Sequence, residues 1–143
     1  MPIHISGTGS FIPKNKVDNN SFSDKLFFDK DGNEYPYSND EIIEKFQTIT
    51  GIKERRYANK EHKTSDLATF AAQNAIKDAG IDKETIDYII VAHNFGDIEY
   101  GTNQYIALPS VATMVKHKLN ILNENCVAYD IIFGCPGWIE GVI

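Results

Sequence analysis

Apolar positions along the chain follow two rhythms, and these set out most of its elements. In Thr64–Ala79 the residues Ala68, Ala71, Ala72, Ala75 and Ala79 fall on one side, while Asp66, Thr69, Gln73 and Lys77 fall on the other. That is the 3.6-residue period of an amphipathic helix. Thr64 or Ser65 is its expected cap, Asp66 suits the first turn and Gly80 closes it. Its small side chains predict close approach by another helix backbone, as in a tightly packed central helix. A second helix is expected from a cap at Asn39 or Asp40, with Ile42, Ile43 and Phe46 at helical spacing, ending near Gly51. A third opens at Leu108-Pro109-Ser110 and buries Val111, Met114, Val115 and Leu119.

The other rhythm is the short continuous apolar run. Tyr88–His93 reads as a strand covered on both faces, and Val127–Phe133 as another. Residues 3–12 read as a strand interrupted by Gly7 and Gly9. No third glycine follows, so a dinucleotide loop is a poor account of that pair. Lys14–Asn20 reads as a polar connection, and Asn20 or Ser21 as the cap of a short helix toward Leu26. Residues 27–40 are expected to form a hairpin turning at Asp31-Gly32, with Phe27, Phe28, Tyr35 and Tyr37 on its sides. The Asp29–Asn33 run imitates a calcium loop but has Glu34 where that loop needs glycine. Ile52–Tyr57 reads as a strand with a solvated charged face, and Asn94–Asn103 as a polar loop. Strand and helix then alternate as in an α/β fold, with right-handed crossovers and a layered sheet packed by helices.

Charge and composition narrow the class. The 143 residues carry a net charge of −6 and are 42% hydrophobic and 24% charged, an ordinary globular balance. Net acidity argues against a nucleic-acid partner, and no run is long enough to cross a membrane. The two cysteines, Cys126 and Cys135, match neither a disulfide framework nor a zinc spacing. A reducing cytoplasm and no metal are the expectations. The helix that begins near Cys135 is cut by Ile143 after about two turns, so the chain is read as one domain, 1–143, of a longer protein.

Cys135 carries the candidate chemistry. An apolar strand runs into Gly134-Cys135-Pro136-Gly137 and then an amphipathic segment with Trp138, Ile139, Val142 and Ile143. This places Cys135 on a tight strand-to-helix turn, with Pro136 suited to the first helical position. Unpaired N–H groups and the helix dipole there favour a thiolate and could receive a thioester oxygen as it becomes an oxyanion. The competing account is an inert buried thiol. His93, at a strand end, is read as structural or loop-facing.

Several stretches together carry a family resemblance. ISGTGSFIP, TGIKERR, DLATFAAQNAIKDAGI, DYIIVAH, LPSVATMV and VAYDIIFGCPGW, in that order, resemble the N-terminal part of β-ketoacyl-acyl carrier protein synthase III, a thiolase-like condensing enzyme. The resemblance implies a thiolase-like α/β fold with a layered mixed sheet, incomplete at the C-terminus. It also implies an acyl-Cys135 intermediate and condensation with malonyl-acyl carrier protein to give 3-oxoacyl-acyl carrier protein and carbon dioxide. Acyl-coenzyme A and acyl carrier protein would be substrates and partners, with no bound cofactor and a homodimer as the assembly. Leu108 falls where the family limits the partner's acyl pocket across the two-fold, and Trp138 where a hydrophobic residue follows the nucleophile. The strand Val127–Ile131 matches one that pairs with its copy.

Departures accompany the match. The family's adenine-stacking tryptophan falls at Lys45, and an arginine falls at Ile49, with Phe46 left to offer a stacking face. The donor is therefore either acyl-coenzyme A or a carrier-bound thioester. The catalytic His and Asn of the family lie beyond Ile143, so this chain alone is expected not to condense. The rival readings are a specialised-metabolite or non-decarboxylating acyltransferase of the same superfamily, and a non-catalytic partner subunit.

Overall fold

The computed structural model describes residues 4–143 and divides them into two compact units, residues 4–11 with Lys60–Ile143, and Ile12–Asn59. In the larger unit, β3 (Tyr88–His93) and β6 (Val127–Ile132) pair in parallel, Tyr88 opposite Val127 and His93 opposite Ile132. The connection between them holds a small antiparallel hairpin, β4 (Asp97–Ile98) and β5 (Tyr105–Ile106), and then helix α3 (Val111–Lys118). The sequence reading of 94–103 as loop missed this hairpin, whose strands have two residues each. α2 (Thr64–Ala79) packs on α3, and α4 (Gly137–Val142) packs on β3. Val111, Val115, Leu119, Ile121 and Cys126 form the buried core, with Ala68, Ala72, Ile76, Ile89 and Val91 against it. β3 is half-buried, and Tyr88 at its start is exposed.

α2 has two packing faces rather than one apolar and one polar. Ala68, Ala72 and Ile76 meet the core, while Ala71, Ala75 and Ala79 meet the N-terminal segment. That segment, predicted as a strand, has no strand among its described residues. It lies on α2 through its glycines: a Cβ on Gly7 would sit 2.5 Å from Ala79 N, and one on Gly9 only 2.3 Å from Ala75 N. On this face the close approach expected of another helix is made instead by an irregular chain. Side chains tie it down. Thr8 N–H donates to Asp78 Oδ2 at 2.9 Å, and Asn74 Nδ2 donates to the Ser10 carbonyl at 2.9 Å.

The start of α2 also corrects the sequence reading. Lys63 is the N-cap, and the Asp66 carboxylate accepts its N–H at 2.8 Å. Thr64 Oγ1 instead donates to the Gly96 carbonyl at 2.7 Å. Ser65 and Thr69 are buried, although Thr69 was placed on the polar face; its hydroxyl is satisfied by the Ser65 carbonyl at 2.7 Å. Buried Asp97 accepts Ser65 N–H at 2.7 Å and Ser65 Oγ at 2.6 Å, so the β4–β5 hairpin holds the helix start. Lys118 Nζ reaches Ser65 Oγ at 2.9 Å and Asp66 Oδ1 at 2.5 Å. Burial pushes the Asp66 carboxyl up. The Lys118 hydrogen bond, the Lys63 N–H and the Lys118 and His62 charges outweigh it and hold the group below the ordinary aspartate value.

In the smaller unit, β1 (Asn15–Asp18) pairs antiparallel with β2 (Glu54–Tyr57). β1 lies within the stretch expected to be a polar connection, since it has almost no apolar residue to mark it. The short helix after it is a single 3₁₀ turn, Asn19–Phe22, capped by Asp18 rather than by Asn20 or Ser21. Helix α1 (Asn39–Thr50) is capped by Ser38, one residue earlier than expected, in a reciprocal box with Glu41. Gly51 closes it in the left-handed conformation. The hairpin at 27–35 turns where predicted, with Tyr35 N–H on the Phe27 carbonyl at 2.8 Å and Gly32 at φ 84°. The Asp29 carboxylate is spent inside that turn on Asp31 N–H and Asn33 N–H.

Candidate functional site

β6 ends at Ile132, and α4 begins at Gly137; Gly134, Cys135 and Pro136 form the turn between them. Pro136 is the N-cap, at φ −75° and ψ −7°, rather than the first helical residue. Its missing N–H still costs nothing there, because an N–H at the start of a helix has no intrahelical partner, and its carbonyl accepts the N–H groups of Ile139 and Glu140. Gly137 N–H folds back on the Gly134 carbonyl at 2.9 Å, which tightens the turn around the cysteine. Gly137 is buried: a Cβ there would lie 3.3 Å from the side chains of both Ala92 and Phe133. The Cys135 thiol is free and exposed, whereas Cys126 is free and buried in the core. Of the two thiols, only Cys135 is placed to meet a reagent.

Five residues before Cys135, Asp130 forms a node that the sequence reading did not find. Its Oδ1 accepts Ala112 N–H at 2.7 Å, and its Oδ2 accepts Val111 N–H at 2.8 Å. A carboxylate at a helix N-terminus is favourable both for its hydrogen bonds and for the dipole. His93 Nε2 lies 2.9 Å from the same Oδ2, and Gly96 N–H donates to His93 Nδ1 at 2.8 Å. With Nδ1 accepting, Nε2 is the nitrogen that carries hydrogen and donates to Asp130. His93 is thus a buried structural side chain with both ring nitrogens occupied. The available signal was an aspartate in the middle of an apolar strand, since a charge in that setting demands partners.

Comparison with known proteins bears directly on this arrangement. The β-ketoacyl-[acyl-carrier-protein] synthase III of Neisseria meningitidis serogroup C / serotype 2a is 38% identical over 135 residues, 94% of this chain and 35% of that protein. The protein of the same name from Staphylococcus haemolyticus is 37% identical over 143 residues, 100% of this chain and 38% of its own. Among solved structures, 3-oxoacyl-[acyl-carrier-protein] synthase III from Aquifex aeolicus VF5 superposes with a TM-score of 0.70 at 29% identity. That match covers 96% of this chain and 37% of the other. The chain resembles the N-terminal part of β-ketoacyl-acyl carrier protein synthase III, and its fold is thiolase-like. It spans about 35% of the Neisseria protein's length. No family model matches the chain.

Set beside the synthase III pattern, the four residues singled out in the sequence lie in different settings. Cys135 sits in its exposed turn, and Trp138 on the first turn of α4 is 69% exposed. Leu108, two residues before the Ser110 cap of α3, is 84% exposed and packs on little of the rest of the chain. Phe46 belongs to the smaller unit, where it meets Phe22 and Phe27 edge-on at 6.1 and 5.6 Å. It lines an open pocket of about 280 Å³ together with the aromatic hairpin, Lys45 and Ile49. The Lys45 ammonium sits 4.0 Å from the centre of the Tyr37 ring. The aromatic sides of the hairpin therefore face this pocket over α1.

Proposed function

We propose that the protein bearing this chain is a decarboxylating condensing enzyme, an acyltransferase that carries its acyl group on Cys135. The observation that carries the reading is the exposed thiol in the tight turn between β6 and α4. The synthase III names of the relatives support it. In the first step the Cys135 thiolate adds to the carbonyl of an acyl thioester. The carrier thiol leaves, and the acyl group becomes a thioester of Cys135. In the second step malonyl-acyl carrier protein loses carbon dioxide, and the carbon so freed attacks the acyl carbonyl. The Cys135 sulfur then departs, leaving 3-oxoacyl-acyl carrier protein.

The donor is acyl-coenzyme A or an acyl carrier thioester, and Phe46 offers it a stacking face. Trp138 flanks the acyl group. Leu108 reaches across the two-fold of a homodimer to limit the partner's acyl pocket, a role its bare exposure suits. The setting is fatty-acid or polyketide-type initiation in the cytoplasm, with no resident cofactor. The 143 residues alone do not condense in this reading. After Cys135 their only titratable side chain is Glu140, and decarboxylation needs hydrogen-bond donors at the developing enolate.

The test uses the full-length protein and radiolabelled acetyl thioesters of coenzyme A and of acyl carrier protein. Wild type takes up label, and Cys135→Ala takes up none; label retained by the variant would refute the role of Cys135. Product analysis with malonyl and non-malonyl acceptors then separates the decarboxylating reaction from a simple acyl transfer.

A further inference from the structure

We propose that Asp130, oriented by His93, is a positioning residue that fixes where Leu108 stands and thereby limits the length of the acyl group accepted. The proposal rests on the roles given above to Cys135 and Leu108. Leu108 is 84% exposed, so its own contacts in the protomer do little to hold it. Its place is set by what lies behind it in the chain. Pro109 has a fixed φ and passes any displacement on. Ser110 caps α3 through Thr113 N–H at 3.1 Å, and Val111 and Ala112 are buried, with their N–H groups on the Asp130 carboxylate.

The same carboxylate belongs to the strand that delivers Cys135. β6 is locked to β3 up to the pair His93 and Ile132, and Phe133 N–H continues the ladder to the His93 carbonyl at 3.2 Å. One side chain therefore references both the thiol-bearing strand and the helix that presents Leu108. The two helix N–H groups hold one carboxylate oxygen each. The third bond, from His93 Nε2 at 2.9 Å, braces that carboxylate from β3, and the Gly96 N–H on Nδ1 keeps the ring itself from turning. Loss of the imidazole lets the α3 start and Leu108 shift while Cys135 keeps its turn. A looser wall admits longer chains.

The experiment compares acetyl and hexanoyl thioesters in single-turnover labelling of the full-length protein. His93→Leu is expected to raise the ratio of hexanoyl to acetyl labelling on the order of tenfold, the scale of one methylene in an apolar pocket. His93→Gln, which keeps a donor for Asp130, is expected to restore most of the wild-type ratio. Leu108→Ala is expected to raise the ratio as well, and adding His93→Leu to it to change little more, since both act through one wall. An unchanged ratio with a lowered melting temperature would assign His93 and Asp130 to fold stability alone and overturn the proposal. So would a His93→Gln ratio no closer to wild type than that of His93→Leu, additive effects in the double variant, or failure of both His93 variants to fold. Cys135→Ala, run alongside, separates the outcomes: label retained there defeats the underlying reading of the thiol rather than the positioning role.

Discussion

Replacing Gly9 by alanine would place a methyl group 2.3 Å from Ala75 N, 2.4 Å from the Ala71 carbonyl oxygen and 2.8 Å from Ala75 Cα. All three are backbone atoms of α2, so no side-chain rotation relieves the encounter. Either the helix or the N-terminal segment must move by about an ångström, breaking the bonds from Thr8 to Asp78 and from Asn74 to Ser10. Overpacking that cannot be relieved costs about 3 kcal/mol. With a urea m-value of about 2 kcal/mol/M, the unfolding midpoint falls by about 1.5 M. Gly80→Ala is the control at the end of the same helix. A Cβ there meets nothing within 4 Å, and the cost is only that of a left-handed φ of 63°, about 1 kcal/mol. Adding Ala75→Gly to Gly9→Ala should not rescue it, because the clash is with main chain. A Gly9→Ala midpoint at or above that of Gly80→Ala, or full rescue by Ala75→Gly, would refute the account of how this segment docks.

Other perturbations test separate parts of the structure. Asp97→Ala strands the Ser65 N–H and hydroxyl in a buried site and should cost about 2–4 kcal/mol by thermal denaturation. Asp66 is held below its ordinary pKa in the fold, so the unfolded chain binds more protons in the acid range. Its stabilisation is present above the unfolded value of about 4 and is lost as pH falls through the folded one. Lys118→Met should flatten that acid limb in urea midpoints measured across pH. Ser38→Ala opens the reciprocal cap of α1 and should cost about 1 kcal/mol, read by denaturation of the smaller unit.

What could be read from the sequence was what is encoded locally. The span of α2, the run of β3, the Ser110 start of α3 and the turn at Asp31-Gly32 each follow from a few neighbouring residues. Features decided by distant partners were missed or misplaced. Gly7 and Gly9 looked like a bulged strand, but their missing side chains serve contact with a helix some 65 residues away in sequence. β1, Asn-Lys-Val-Asp, has no apolar alternation because both its faces stay largely exposed. Ser38 displaced Asn39 and Asp40 as cap because Glu41, three residues on, completes the box with it. At the candidate site, the strand, the turn and the free thiol at 135 were all foreseen. The network around Asp130 was not, since residues 93, 111, 112 and 130 meet only once the crossover is folded.

The parallel pairing of β3 with β6 also carries information about handedness of presentation. Side chains along a strand alternate in direction, so moving β6 by one residue against β3 would exchange its inner and outer sets. Cys135 lies three positions past the last paired residue, Ile132. A single deletion in the link between α3 and β6 that slid the strand by one residue would therefore do more than shorten a loop. It would turn the thiol toward the opposite side of the sheet. The link is braced accordingly: Glu84 binds the N–H groups of Leu122 and Asn123, Lys83 the carbonyls of Leu119 and Asn120, and Lys116 those of Asn123 and Cys126. In this chain the length of that connection is part of the stereochemistry of the sulfur.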